Sequence, residues 1–167
     1  MIREATPNDS PRIAEIHVFA WRCAYKEFIP MDFLINEMTV KSREKKFHEY
    51  LSDVNNSDET YVYEESNIVK GFLTMGDCRD DDKTNETFEL MGIYIDPLFQ
   101  RQHIGTQFVD YCIKNAVERG KKEITLWVFE KNTNSIAFYK KMGFELDGKT
   151  ELRERYKENI IRMRIGL

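Results

Sequence analysis

Residues 88–129 restrict the fold more than any other part of the sequence, because they predict two strands joined by one long helix. The strands are the β-rich run 88–95 and the apolar run 124–129. The helix between them is predicted over about 105–119, with Gly120 as its stop. Its apolar stripe repeats every four residues at Ile104, Phe108, Cys112 and Ala116. A helix that bridges two strands of one sheet places those strands parallel, so a parallel pair is expected here.

The rest of the chain adds strands and helices in an order that predicts a mixed α/β fold. The expected elements are a strand at 2–5, helices starting near Ser10 and Thr39, a hairpin of 60–63 with 68–73, a short helix at 136–142, and strands at 144–146 and 159–164. The second helix is expected to bury Val40, Phe47, Tyr50 and Leu51. The acidic, unpatterned run 77–86 predicts a mobile loop.

Composition narrows the class of protein. The chain has 167 residues, is 41% hydrophobic and 32% charged, and therefore fits one globular domain with a substantial core. No signal peptide and no apolar run of about 20 residues is visible, so no membrane association is expected. Cys23, Cys78 and Cys112 are odd in number and widely spaced, which argues against disulfides or a metal site and indicates a cytoplasmic protein. The net charge of −4 disfavours nucleic acid as a partner and suits a cationic substrate such as an amine.

The turn between the first strand and the long helix is a candidate anion site. Residues 100–106 precede the helix, where unpaired backbone N–H groups and the helix dipole favour negative charge. Gly105 would let a pyrophosphate approach the backbone closely, and Arg101 could add charge. A strand-turn-helix with one glycine is common, so an ordinary connection is the alternative.

Two sequence blocks resemble the GNAT superfamily of acetyl-CoA-dependent N-acetyltransferases. The segment 96–105 is similar to its Gln/Arg-x-x-Gly-x-Gly/Ala signature, and 127–144 looks like its second block, an Asn-containing turn followed by Phe-Tyr-x-x-x-Gly-Phe. The opening of the chain, through Tyr25, also resembles many members. The resemblance implies a single domain over residues 1–167, with a twisted, mostly antiparallel sheet, splayed parallel central strands and about four flanking helices.

The same resemblance implies which residues bind acetyl-CoA. The backbone of the strand end should bind the pantetheine arm, Gly92 should bend that strand, the turn should bind the pyrophosphate, and an Asn side chain should contact the cofactor. The residues so assigned are Ile93, Tyr94, Ile95, Arg101, Gln102, His103, Ile104, Gly105, Thr106 and Asn132. His103 departs from the pattern, because it stands where the family most often has its first glycine. Plain helix capping is the alternative role for Asn132.

Four further residues are candidates for chemistry or acceptor binding. Tyr139 falls at the position of the family's tyrosine, which implies that it protonates the departing sulfur. Glu89 is the candidate base, acting through water, because Trp127 occupies the place where some members carry a glutamate. Trp21 and Tyr25 lie where the family's first helix borders the acceptor pocket. Core packing is the alternative for Tyr139 and Trp21, and a solvated strand position is the alternative for Glu89.

The predicted function is transfer of the acetyl group of acetyl-CoA to a primary amine by direct attack in a ternary complex. The acceptor would be a small molecule, a protein N-terminus or a lysine. A non-catalytic acyl-CoA sensor or structural module on the same fold is the alternative, and the family resemblance also allows a homodimer. A dinucleotide-binding protein is excluded by the lack of GxGxxG after an N-terminal strand.

Overall fold

The computed structural model describes residues 1–167 and shows a mixed α/β fold. The seven strands are β1 (Ile2–Glu4), β2 (Glu59–Glu65), β3 (Ile68–Asp77), β4 (Thr87–Ile95), β5 (Glu123–Phe129), β6 (Glu145–Arg153) and β7 (Glu158–Gly166). The four α-helices are α1 (Ser10–Tyr25), α2 (Val40–Ser52), α3 (Ile104–Glu118) and α4 (Thr133–Lys141). The predicted element order is therefore confirmed. None of the helices is both long and apolar enough to cross a membrane.

The strands are hydrogen-bonded in the order β1-β2-β3-β4-β5-β7-β6. The pair β4–β5 is parallel, as predicted, whereas β1–β2, β5–β7 and β6–β7 are antiparallel. The parallel ladder runs only from Thr87↔Glu123 to Glu89↔Thr125, although both strands continue beyond it. Pairing that ends after three residues agrees with the expectation that the central parallel strands splay.

The chain contains two compact units, and β3, β4 and α3 contribute residues to both. The first unit comprises residues 1–74 and 93–108, and the second comprises residues 75–92 and 109–167. In the first unit, the core around α1 and the β2–β3 hairpin consists of Ile13, Ile16, Val62, Val69 and Phe72. The predicted hairpin is confirmed, and its two turn residues, Ser66 and Asn67, have φ of 53° and 61°.

Helix α2 is less buried than the sequence predicts. It begins after Thr39, whose hydroxyl accepts from the Ser42 N–H (3.2 Å), as expected for a helix cap. None of its residues is fully buried, and Phe47 and Leu51 pack only partly against the core. The expectation that α2 buries four apolar residues is therefore wrong, because its polar and charged residues leave only a half-buried apolar face.

A π-helical segment before α2 was not predicted. It spans Phe33–Glu37, and the Arg22 guanidinium on α1 donates to the carbonyls of Leu34 (3.0 Å) and Met38 (3.2 Å). These bonds satisfy carbonyls in a stretch where the regular helical ladder changes spacing. A sequence pattern cannot show this, because the donor comes from another helix.

The acidic loop after β3 is tied to the sheet of the second unit. Arg162 on β7 donates to Asp80 (2.8 Å) and Asp82 (2.7 and 2.8 Å), and Lys83 pairs with Glu123 (2.8 Å). The Arg162 side chain is only 4% exposed, so these charges compensate one another in a partly desolvated setting. The structure thus replaces the expected mobile loop with an anchored one.

Candidate functional site

The turn from β4 to α3, residues 96–106, begins with a capped 3-10 segment. The Asp96 carboxylate accepts from the Leu98 N–H (2.9 Å), and the Phe99 N–H bonds the Asp96 carbonyl (2.8 Å). The next stretch, residues 101–106, is called the cofactor turn below. The bond from the Gln107 N–H to the His103 carbonyl (3.1 Å) marks the start of α3, so the N–H groups of the cofactor turn precede the helical ladder. This arrangement suits an anion.

Two residues of the cofactor turn have a left-handed backbone. Arg101 and His103 both have φ of 61°, a region that glycine adopts without strain. This conformation gives a physical reason for the glycine that the resembled family most often has at the position of His103. Histidine is among the non-glycine residues that tolerate a left-handed backbone. Arg101, Gln102 and His103 are exposed, whereas Ile104 and Gly105 are buried. The exposed side chains can therefore approach a phosphate, while Gly105 adds no side chain to the first turn of α3.

The end of β4 lies unusually close to β3. Ile93, Tyr94 and Ile95 are half-buried, and the Asp96 N–H bonds the Lys70 carbonyl (2.9 Å). A Cβ on Gly71 would lie 2.9 Å from the Tyr94 carbonyl oxygen and 3.2 Å from the Phe108 ring. Glycine is therefore required at position 71 for this approach. Gly92 was predicted to bend β4, but the requirement for glycine at position 71 was not predicted, because its only sequence signal is a glycine within a strand.

The two acceptor-site candidates lie beside the strand end in the first unit. The Trp21 indole N–H donates to the Tyr94 hydroxyl (3.3 Å), and the Trp21 and Tyr25 rings meet edge to face at 4.8 Å. Trp21 is 8% exposed, so it also packs as a core residue, whereas Tyr25 is half-buried. The structure therefore joins Trp21, Tyr25 and Tyr94 in one aromatic cluster.

His17 on α1 is a buried polar residue to which the sequence analysis assigned no role. Its ring lies 4.7 Å from that of Tyr94 and 5.7 Å from that of Trp21, and its Nδ1 has no hydrogen-bond partner. Burial, with a smaller contribution from the positive charge of Arg43, lowers the pKa of His17 to about 3. The imidazole is therefore neutral near pH 7 and is too weak a base to accept a proton from an ammonium group.

In the second unit, Asn132 caps the start of α4, and Tyr139 lies in the last turn of that helix. The Asn132 side-chain oxygen accepts from the Ser135 N–H (3.3 Å), so the capping role is present. Tyr139 is 8% exposed, and its ring lies 5.2 Å from that of Phe138 and 5.7 Å from that of Phe144. Asn132 therefore caps a helix and Tyr139 packs against aromatic rings, as the alternatives for these residues predict. Neither arrangement conflicts with an additional role in the reaction.

Glu89 and Trp127 lie on neighbouring strands of the second unit. Glu89 pairs in register with Thr125 and is half-buried. The Trp127 indole N–H donates to both carboxylate oxygens of Asp80 (3.2 and 3.3 Å), and the Arg162 guanidinium lies 5.6 Å from the indole ring. A carboxylate thus stands beside position 127, but it comes from the acidic loop rather than from β5. No sequence motif indicated this contact.

Comparison with known proteins agrees with this architecture. The model of the acetyltransferase (GNAT) family matches residues 12–144. An uncharacterised N-acetyltransferase of Bacillus subtilis, YuaI, is 32% identical over 139 residues, which cover 83% of this chain and 76% of that protein. The family match over residues 12–144 includes the cofactor turn and α4, where both sequence blocks lie.

Solved structures share the fold at lower identity. The PaiA N-acetyltransferase of Thermoplasma acidophilum, in complex with coenzyme A, has a TM-score of 0.78 and 18% identity over 97% of this chain and 96% of that one. YncA of Salmonella typhimurium, a putative acetyltransferase solved with acetyl-CoA, has a TM-score of 0.71 and 22% identity over 100% of this chain and 93% of that one. At these identities the likeness concerns the fold. Together with the family match, it shows that the chain belongs to the GNAT family of acetyltransferases.

Proposed function

We propose that residues 1–167 form one N-acetyltransferase domain that moves the acetyl group of acetyl-CoA to a primary amine. The acceptor would be a small molecule, a protein N-terminus or a lysine side chain, and attack would occur directly in a ternary complex. The cofactor turn is the observation that carries this proposal. Its backbone N–H groups precede the α3 ladder, and its left-handed residues Arg101 and His103 are exposed.

The proposed binding mode divides acetyl-CoA between two features of the first unit. The cofactor turn, with Gln102, Ile104, Gly105 and Thr106 beside Arg101 and His103, would donate backbone hydrogen bonds to the pyrophosphate. The half-buried end of β4 at Ile93–Ile95 would pair with the pantetheine arm as an added strand. Asn132 would also contact the cofactor while it continues to cap α4.

The proposed reaction needs one bond made, one bond broken and two protons moved. The neutral amine attacks the thioester carbonyl carbon, and a backbone N–H of residues 93–95 stabilises the oxyanion. The C–S bond then breaks, and Tyr139 donates its phenolic proton to the thiolate. The positively charged nitrogen of the tetrahedral intermediate loses one proton through water to Glu89, which releases it to solvent, and solvent restores the proton of Tyr139.

Deprotonation of the acceptor's ammonium form, which must precede attack, is the costly step. An amine with a pKa near 10.4 is neutral in only about one molecule per thousand at pH 7.4, which corresponds to about 4 kcal/mol. His17 is not assigned this role, because it is buried on α1 and burial lowers its pKa to about 3. Glu89 remains the candidate, since it is half-buried on β4. The Asp80 carboxylate is a weaker candidate, because Trp127 and Arg162 already donate to it.

The cellular setting belongs to the same proposal. Cys23, Cys78 and Cys112 are all free thiols, which suits a reducing cytoplasm. Burial raises the pKa of Cys112 to about 12, so this thiol is inert packing. A homodimer is compatible with the proposal but is not required by it, because every residue assigned above belongs to one chain.

A non-catalytic acyl-CoA-binding module is the alternative, and an amine panel separates the two. The panel contains polyamines, aminoglycosides, amino acids and peptides with free N-termini or lysines, each mixed with acetyl-CoA while thiol release is followed. We expect at least one class to raise thiol release well above the hydrolysis seen without amine, with the acetylated amine confirmed by mass spectrometry. Binding of acetyl-CoA without acetylation of any class would favour the sensor.

A further inference from the structure

Arg12 on α1 connects three backbone segments near the end of β4. Its guanidinium donates to the Asp96 carboxylate (2.5 Å) and to the Val69 carbonyl on β3 (3.0 Å), and it pairs with Glu15 one helical turn away (2.9 Å). In sequence, Asp96 is 84 residues from Arg12, and Val69 is 57 residues from Arg12. Arg12 therefore links α1, β3 and Asp96, the residue that follows β4.

Asp96 transmits this contact toward the cofactor turn. One carboxylate oxygen receives Arg12, while the other accepts from the Leu98 N–H (2.9 Å). The Asp96 N–H bonds the Lys70 carbonyl (2.9 Å), and the Lys70 ammonium lies 4.8 Å from the centre of the Phe99 ring. The carboxylate is only 6% exposed, so its orientation is fixed by these partners rather than by water. The direction in which the chain leaves β4 depends on this set of bonds.

We propose that Arg12 is a positioning residue for the pyrophosphate of CoA: through its ion pair with Asp96, it orients the segment 97–99 and hence the cofactor turn. The inference rests on the proposed function for the identity of the ligand. Arg12 itself is assigned no contact with CoA. Its effect is on the four residues, 97–100, that separate Asp96 from the turn's first left-handed residue, Arg101.

Charge gives Arg12 a second effect in the same direction. Asp96 is a buried carboxylate close in sequence to a site proposed for an anion. Without Arg12, its negative charge would be uncompensated and would oppose phosphate binding. The planar guanidinium presents separate N–H donors to the carboxylate and to the Val69 carbonyl in one fixed geometry.

The test compares CoA with S-acetylpantetheine, which has the thioester arm but lacks the pyrophosphate. We expect Arg12→Met to raise the Kd of CoA about tenfold, as for one lost charge-assisted hydrogen bond, measured by calorimetry. The Kd of S-acetylpantetheine, measured by NMR titration, should stay within about twofold. Asp96→Asn, which keeps an oxygen for the Leu98 N–H, should act on CoA in the same way, and the double variant should be no worse than the stronger single one.

Arg3→Met is the matched control. Arg3 is 33% exposed, similar to the 30% of Arg12, and also joins distant segments by pairing with Asp9 (2.8 Å) and Glu64 (2.6 Å). It has no link to Asp96, so a comparable loss of stability should leave the Kd of CoA within about twofold. If Arg12→Met does not fold, Arg12→Lys replaces it, and we expect an intermediate loss of CoA affinity.

The outcomes separate this inference from the proposed function. Unchanged CoA affinity in Arg12→Met, or equal weakening of CoA and S-acetylpantetheine, would overturn the role of Arg12. Binding needs neither acceptor nor turnover, so selective weakening of CoA in a protein that acetylates no amine would refute the proposed activity and leave the role of Arg12 supported. A wild-type protein that does not bind CoA would overturn both.

Discussion

Replacing Tyr139 with phenylalanine is expected to lower the turnover number by about 10²-fold, because general acid catalysis commonly contributes 10² to 10⁴. The change removes only the hydroxyl, so the ring contacts with Phe138 and Phe144 remain. The Kd of CoA should stay within a few-fold, since protonation of the sulfur occurs in the transition state. The measurement is thiol release under conditions where chemistry limits the rate.

Phe138→Leu is the control for packing next to Tyr139. Phe138 is half-buried and lies in the same helix, but it has no hydroxyl to donate. We expect it to lower the free energy of unfolding by about 1 kcal/mol while changing the turnover number far less than Tyr139→Phe does. A Tyr139→Phe enzyme with wild-type turnover would show that Tyr139 is a core aromatic and that the thiolate leaves without an acid.

Gly105→Val is expected to raise the Kd of CoA by about 10- to 100-fold, because blocked approach removes one or two charge-assisted hydrogen bonds from the cofactor turn. Gly105 is buried at the start of α3, next to the exposed His103. A smaller rise is expected for Gly105→Ala, whose side chain is shorter. The Kd is measured by calorimetry after circular dichroism confirms that α3 and the sheet are retained.

Gly166→Val is the suitable control for this substitution. Gly166 ends β7, is exposed, and a Cβ there would meet nothing within 4 Å. Gly120, the other glycine near α3, is unsuitable because its φ of 71° would strain any β-branched residue. Equal effects of Gly105→Val and Gly166→Val on CoA affinity would remove Gly105 from the phosphate site.

The elements that the sequence predicted well are those with a local signal. The four-residue apolar repeat of α3, the start of α2 near Thr39, the Asn132 cap and the β2–β3 hairpin all appear in the structure. Each depends on residues that are close together in the sequence, so each can be predicted from a single sequence. The π-helical segment at 33–37 was missed because its stabilising donor, Arg22, lies on α1.

The site shows the same division. The cofactor turn was predicted from the residues themselves and from two sequence blocks, and its left-handed positions give a physical reason for the glycine that His103 replaces. Gly71 and Arg12 were not predicted, because their importance arises from partners far away in sequence. The same reason hid the contact of Asp80 with Trp127, which follows from the packing of the acidic loop.

The anchored acidic loop illustrates why composition alone was misleading. A run with many aspartates predicts a solvated, unstructured segment when it is considered by itself. In the structure, the almost fully buried Arg162 side chain pairs with Asp80 and Asp82, and Lys83 of the loop pairs with Glu123 on β5. Arg162 also donates from Nε to the Asp147 carboxylate on β6 (2.6 Å). The sequence predicted only the start of this strand, at 144–146.

Calorimetric titration of the protein with CoA, run in parallel with NAD, tests the central claim most directly. The account predicts that CoA binds with a Kd from low-micromolar to sub-millimolar, about −8 to −4 kcal/mol, and that NAD produces no binding heat. In this account the cofactor turn would provide the donors for the pyrophosphate, and the end of β4 would provide the backbone for the pantetheine arm. Absence of binding heat with CoA, at protein concentrations adequate for that range, would contradict the account.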